Sequence, residues 1–126
     1  MSNFDDLLDF NRRMNKPSPV LPALLSPQIA AQRVVYMLEE LAEFNKSNCE
    51  QDLPGAADSL VDLVYFALGT AVMMGLPWEK IWHVVHKANM SKFTGTDKYG
   101  VSGIIKPFGW VSPRNDIRSL LQGDEQ

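Results

Sequence analysis

Cysteine is nearly absent from this 126-residue chain, and histidine is scarce: Cys49, His83 and His86 are all there is. One cysteine excludes an intrachain disulfide and any cysteine-based zinc site, and leaves Cys49 as a buried or incidental thiol. The histidines lie three apart among Ile81, Trp82 and Val84, a setting for packing or surface residues rather than ligands. A basic excess is also lacking, with 12 Lys and Arg against 15 Asp and Glu and a net charge of −3. No positive field exists to draw in a long nucleic acid, although a small phosphorylated ligand stays open where a metal screens the acids. The first residues have neither the basic start nor the apolar run of a secretory signal. The most apolar stretch, residues 60–76, holds Asp62, Gly69, Thr70 and Gly75, and is too short and too polar for a membrane span. Repeats and low-complexity tracts are missing as well. A cytoplasmic protein with no membrane partner is expected.

What is present fits one globular domain over residues 1–126. Its 45% apolar and 21% charged residues are ordinary, and a chain this long hides roughly two-thirds of its unfolded surface. Residues 4–15 carry Phe4, Leu7, Leu8 and Met14 at helical spacing. Three prolines make residues 16–22 a linker. Ser26-Pro27 is a strong helix start, and no glycine or proline follows until beyond Ser47. Residues 48–53 read as a loop in which Asp52 can cap the next helix. That helix opens at Pro54 and runs to about Gly75, which fits a left-handed stop. Pro77 starts a fourth helix ending near Lys92. Beyond it, glycines and prolines at short intervals predict an irregular tail (93–126), with a small hairpin around residues 99–105 and a last helix over 115–122. The expected class is all-α: a bundle of four to five helices over about residues 3–92, with that tail attached.

Chemistry concentrates in carboxylates. On the second helix Glu40 and Glu43 are three apart, and Glu39 and Glu43 four apart, so their side chains share a surface. At about 100° per residue, Ile29, Arg33, Tyr36, Glu40 and Glu43 form a stripe, with Ala30, Val34, Met37, Leu38 and Leu41 largely on the other side. A solvated acidic face is the bland explanation. The third helix weakens it, because its apolar residues cover nearly the whole circumference, the mark of a buried helix. Within it Asp58 and Asp62 sit one turn apart, in line with Tyr65 and Gly69. Two buried carboxylates cost several kcal/mol without a cation. Arg33 and Lys46 are the candidate basic partners, two against five acids. The dipole at the helix start accounts for Asp58 alone. A hard dication is the better match: an all-oxygen ligand set suits Mg²⁺, with Mn²⁺ possible. The Glu-x-x-His pairs of a di-iron bundle are missing.

A basic counterweight follows in Asn89-Met90-Ser91-Lys92, with Lys87, Lys98 and Lys106 near in sequence. Lys92 can meet phosphate oxygens, or simply complement the helix dipole. Trp78, Trp82, Phe93 and Trp110 are expected in the core, though an aromatic can also stack on a base.

The run Glu39-Glu40-Leu41-Ala42-Glu43, then a loop, then Ala57-Asp58-Ser59-Leu60-Val61-Asp62-Leu63-Val64-Tyr65 resembles the all-α NTP pyrophosphohydrolase superfamily of MazG-type enzymes, dimeric dUTPases and phosphoribosyl-ATP pyrophosphohydrolases. The segment from His86 to Lys92 and the Gly/Lys/Pro-containing tail are similar to a phosphoribosyl-ATP pyrophosphohydrolase-like, "Cof-like" branch. The resemblance covers about residues 4–113. The broader superfamily has an acid three positions before the aspartate matching Asp58, where this chain has Gly55.

The resemblance implies hydrolysis of an NTP or dNTP to the monophosphate and pyrophosphate, with no covalent enzyme intermediate. Glu40, Glu43, Asp58 and Asp62 would hold the metal, and Glu39 would orient or deprotonate the attacking water. Lys92 would grip a phosphate, Asn89 a sugar or base, and Lys106 a further phosphate. A homodimer or homotetramer is expected, with the site near subunit contacts. The competing expectation is a helical module that binds nucleotide or metal, or only oligomerises, without turnover.

Overall fold

The computed structural model describes residues 2–123. Along the chain come α1 (Asn3–Arg13), α2 (Pro27–Cys49), α3 (Leu53–Met73), α4 (Trp78–Met90), β1 (Phe93–Thr96), β2 (Ser102–Ile105) and α5 (Arg114–Leu121). The class is all-α, with one antiparallel two-stranded hairpin. The helices fall within a few residues of their expected limits. They form two compact units, Met1–Leu76 and Pro77–Gln126.

In the first unit each helix starts where a side chain satisfies its free amides. Ser2 Oγ accepts from the Asp5 amide at 3.2 Å while the Asp5 carboxylate accepts from the Ser2 amide at 3.1 Å, a reciprocal box. Ser26 caps α2, with Pro27 in its first turn. Asp52 caps α3 through the Gly55 amide at 3.1 Å. Between α2 and α3 only residues 50–52 intervene, with Gln51 at φ 59°. A link this short forces two long helices to run antiparallel, side by side. At the far end of α3, Gly75 adopts φ 65°. A Cβ there would come within 2.7 Å of the Leu21 carbonyl oxygen and 2.9 Å of that of Pro19, so glycine is needed for both conformation and space. The preceding loop is fastened at that point by the Ala23 amide, which donates to the Met74 carbonyl.

The interior of this unit is a strip of small and medium residues on α3 (Ala56, Ser59, Leu68, Gly69, Ala71 and Val72) facing Leu7 and Asn11 of α1 and Arg33 of α2. Here the structure corrects the expectation that α3 is buried all round: Val61 is 62% exposed, and Leu60 and Val64 nearly half. Two neighbours, α1 and α2, cover only part of its circumference. By length and composition α3 would also suffice to cross a membrane, yet its small-residue strip packs on α1 and α2 as a core helix does. On α2 the orientation is the reverse of ordinary amphipathicity. Arg33 is buried, 5% exposed, while Val34 and Leu38 are 51% and 57% exposed.

In the second unit α4 packs with α5 through Val84 and Leu120, the buried apolar residues there. The hairpin pairs Phe93 with Ile105 and Gly95 with Gly103. It therefore starts earlier than expected, and Tyr99 lies in the turn rather than in a strand. Asp97 organises that turn, its Oδ1 accepting from the Tyr99 and Val101 amides. The expected aromatic core does not form, since Trp82 and Phe93 are more than half exposed and Trp78 and Trp110 half-buried. A unit this small lacks the interior to hold four large rings.

Candidate metal centre

Because α2 and α3 are antiparallel, each turn forward on α2 meets a turn backward on α3, and their polar stripes face one another. Arg33 is the first rung. Its Nε donates to Thr70 Oγ1 and its terminal Nη2 to the Phe66 carbonyl, both at 3.0 Å. The guanidinium lies 6.0 Å from the Tyr36 ring centre and 5.4 Å from that of Phe66, and those rings are 5.3 Å apart. It also passes over Gly69, where a Cβ would stand 2.9 Å from Nη2. Burial pushes the Arg33 pKa down, partly offset by Tyr36. Arg33 is therefore occupied by neutral acceptors and rings, and does not serve as a counter-ion for the acids. Nor does Lys46: among the described residues the one ion pair is Arg12 with Asp9, at 3.5 Å on the surface of α1.

One rung further along α2 stands Glu40. It is half-buried, and its Oε2 is shut off from solvent with no hydrogen-bond donor. Its pKa is raised, first by desolvation and then by the negative charges of Glu43, Asp62 and Asp58. Glu43 on the same helix, and Asp58 and Asp62 across the α2–α3 interface, thus all bear on Glu40.

Their burial differs from expectation. Asp58 and Glu43 are exposed and Asp62 half-buried, so the shielded oxygen belongs to Glu40. The reason is the incomplete cover of α3 described above. Glu39 is exposed and not among the acids acting on Glu40. Among the described residues no three His, Cys, Asp or Glu side chains are drawn together as a ligand group. Electrostatic influence reaches further than ligation, and four like charges that repel share a region without closing on one point. The chemistry of the set still fits a hard dication: oxygens only, no ion-pair partner among the described residues, and one shielded oxygen lacking a donor.

Gly55 occupies the third position of α3. A Cβ there would collide with the Asp52 carboxylate that caps the helix and stand 2.7 Å from Ser47 Oγ. An acid at this position requires the cap to move, a local reason for glycine.

The remaining candidates lie in the second unit. Asn89 is exposed in the last turn of α4. Lys92 and Lys106 each place Nζ 5.0 Å from the centre of the Trp110 ring. Sequence spacing had no means of linking Trp110 to either lysine.

No curated protein matches the chain. A family model, phosphoribosyl-ATP pyrophosphohydrolase, matches residues 7–89, well over half of the sequence, including all of α2, α3 and the acids Glu40, Glu43, Asp58 and Asp62. The chain belongs to the phosphoribosyl-ATP pyrophosphohydrolase family, within the all-α, MazG-like pyrophosphohydrolases.

Proposed function

We propose that the chain is a Mg²⁺-dependent nucleoside triphosphate pyrophosphohydrolase, converting an NTP or dNTP and water to the monophosphate and pyrophosphate. The observation that carries this reading is Glu40: a carboxylate with one solvent-shielded, donorless oxygen, set against Glu43, Asp58 and Asp62, none of which has an ion-pair partner among the described residues. Family membership supports the pyrophosphohydrolase chemistry and the use of a divalent ion. Glu40, Glu43, Asp58 and Asp62 would hold Mg²⁺, or Mn²⁺, with α2 and α3 each supplying two. When bound, the ion offsets triphosphate charge and stabilises the oxygen that leaves. Glu39, one position from Glu40 and open to solvent, would orient the attacking water or take its proton. Asn89, Lys92 and Lys106 would hold the nucleotide. A cytoplasmic location goes with a nucleotide substrate.

We extend the reading to a homodimer or homotetramer. The support is the reversed face of α2, where Val34, Val35, Leu38 and Leu41 lie exposed, and the open flank of α3 at Leu60, Val61 and Val64. Contiguous apolar surface of this kind marks a protein contact.

The test is pyrophosphate release from a panel of NTPs and dNTPs with Mg²⁺, repeated with Asp58→Asn. Turnover of at least one nucleotide by the native chain, lost in Asp58→Asn while the fold persists, is expected. Normal turnover by Asp58→Asn overturns the metal assignment. Gly55 gives a second reading some footing, because its position cannot take the superfamily acid without disturbing the Asp52 cap. Nucleotide binding without pyrophosphate release from any member of the panel would establish that non-catalytic module.

A further inference from the structure

Within residues 77–126, three separate segments meet at one indole. Trp110 Nε1 donates to the Ala88 carbonyl at 3.0 Å and to Ser91 Oγ at 2.8 Å, and Ser91 Oγ itself donates to the Ala88 carbonyl. The ring is thus pinned to the last turn of α4, at a carbonyl that also accepts from the Ser91 amide. A turn closed by the Trp110 amide donating to the Pro107 carbonyl sets the angle of approach. Lys92 follows the Ser91 cap of α4 and Lys106 follows β2 directly, and both ammonium groups come to 5.0 Å from the ring centre. They can stand no further apart than twice that distance. Neither has a carboxylate partner among the described residues.

Two like charges repel, and an exposed lysine gives up rotamer freedom to hold one position. A single lysine on the ring is an ordinary surface cation–π contact. Two, held by a ring that is itself doubly hydrogen-bonded, form a fixed positive pair in a chain whose net charge is −3. What satisfies such a pair is an anion with two negatively charged groups joined by a short bridge. The pair lies beyond residue 89, where the family match ends.

We propose that Lys92 and Lys106, spaced by Trp110, form a clamp for a phosphoanhydride chain, each ammonium taking one of two neighbouring phosphates. Trp110 is the positioning residue. With both ammonium groups against it, the ring is not a platform for a base, and the site reads phosphate number rather than nucleobase. The ligand class rests on the pyrophosphohydrolase reading; the positive pair does not.

Calorimetric titration of the full chain with inorganic pyrophosphate, in chelator and without metal, separates the two. Under those conditions the acids of α2 and α3 repel the ligand, and only the clamp can take it. Expected are measurable binding by the native chain, a loss of roughly tenfold or more for Lys92→Ala and for Lys106→Ala, as for charge-assisted hydrogen bonds, and no change for Asp58→Asn. Orthophosphate, which cannot span both groups, should bind at least about tenfold more weakly than pyrophosphate. A nucleoside triphosphate should bind like pyrophosphate whatever its base. Trp110→Phe keeps a ring but loses the indole anchor; it should weaken pyrophosphate binding while circular dichroism and melting stay native-like. Native affinity in both lysine variants, equal affinity for orthophosphate and pyrophosphate, or no metal-free binding at all overturns the clamp. Loss of turnover in Asp58→Asn with native pyrophosphate affinity in the lysine variants would remove the clamp and leave the enzyme reading standing.

Discussion

Replacing Glu40 with glutamine keeps the shape of the side chain and removes one of four crowded negative charges. In the native protein Oε2 has neither solvent nor a donor, a condition that costs about 1–3 kcal/mol for a polar group. Repulsion from Glu43, Asp62 and Asp58 adds up to about 1 kcal/mol per close pair in a wet site. Glutamine relieves part of both and offers an amide N–H to Glu43. We therefore expect Glu40→Gln to be more stable than the native chain at neutral pH without metal, by about 1–3 kcal/mol, or roughly 3–10 °C in Tm. The pH dependence has a definite sign. An acid whose pKa is raised by folding binds its proton more tightly in the folded state. Its penalty is absent at pH below the ordinary carboxyl range, grows as pH rises toward the raised value, and is complete above it. The advantage of Glu40→Gln should accordingly shrink in acid and be full at pH 8. Magnesium should favour the native chain: a hundredfold excess over Kd adds about 2.7 kcal/mol to it and much less to the variant. Differential scanning calorimetry at pH 5 and pH 8, with chelator or with Mg²⁺, measures all of this. If Glu40→Gln melts at or below the native temperature in chelator at pH 8, or gains as much from Mg²⁺, the four acids do not share a site.

Two further outcomes follow from the packing. Gly69→Ala places a methyl 2.9 Å from Arg33 Nη2 and must displace a guanidinium held at two acceptors; a loss of about 1–3 kcal/mol in urea unfolding is expected, whereas an unchanged midpoint would mean that Arg33 moves freely. Sedimentation velocity should show a dimer or larger species that Leu38→Glu, on the exposed face of α2, dissociates; a native monomer at micromolar concentration would refute the reading of that face.

The helix limits were legible because they are written locally. Ser26-Pro27, Asp52 and Gly75 act within one turn of themselves, and each does in the structure what its chemistry predicts. That Glu40 lies beside Glu43 on α2, and Asp58 beside Asp62 on α3, was legible for the same reason, since helical spacing sets which side chains of one helix share a surface. Burial was not. Whether Val34 or Arg33 faces inward on α2 depends on what α3 presents, and α3 presents Phe66, Thr70 and a glycine into which a guanidinium fits. The first strand was missed because Thr94 and Thr96 sit among glycine and charge, where turn signals outweigh a four-residue alternation. The meeting of Lys92, Trp110 and Lys106 depends on how a hairpin and a turn fold back on α4, which no spacing rule encodes.

The link of residues 50–52 also bears on how the molecule comes into being. Glu43 and Asp58 are only fifteen positions apart in sequence, and closing so short a loop costs little chain entropy. Contacts this local form early and fast during folding. As the polypeptide emerges, the acids of α2 and α3 can come onto facing helices once a single helical hairpin zips up, before the far end of the chain has been made.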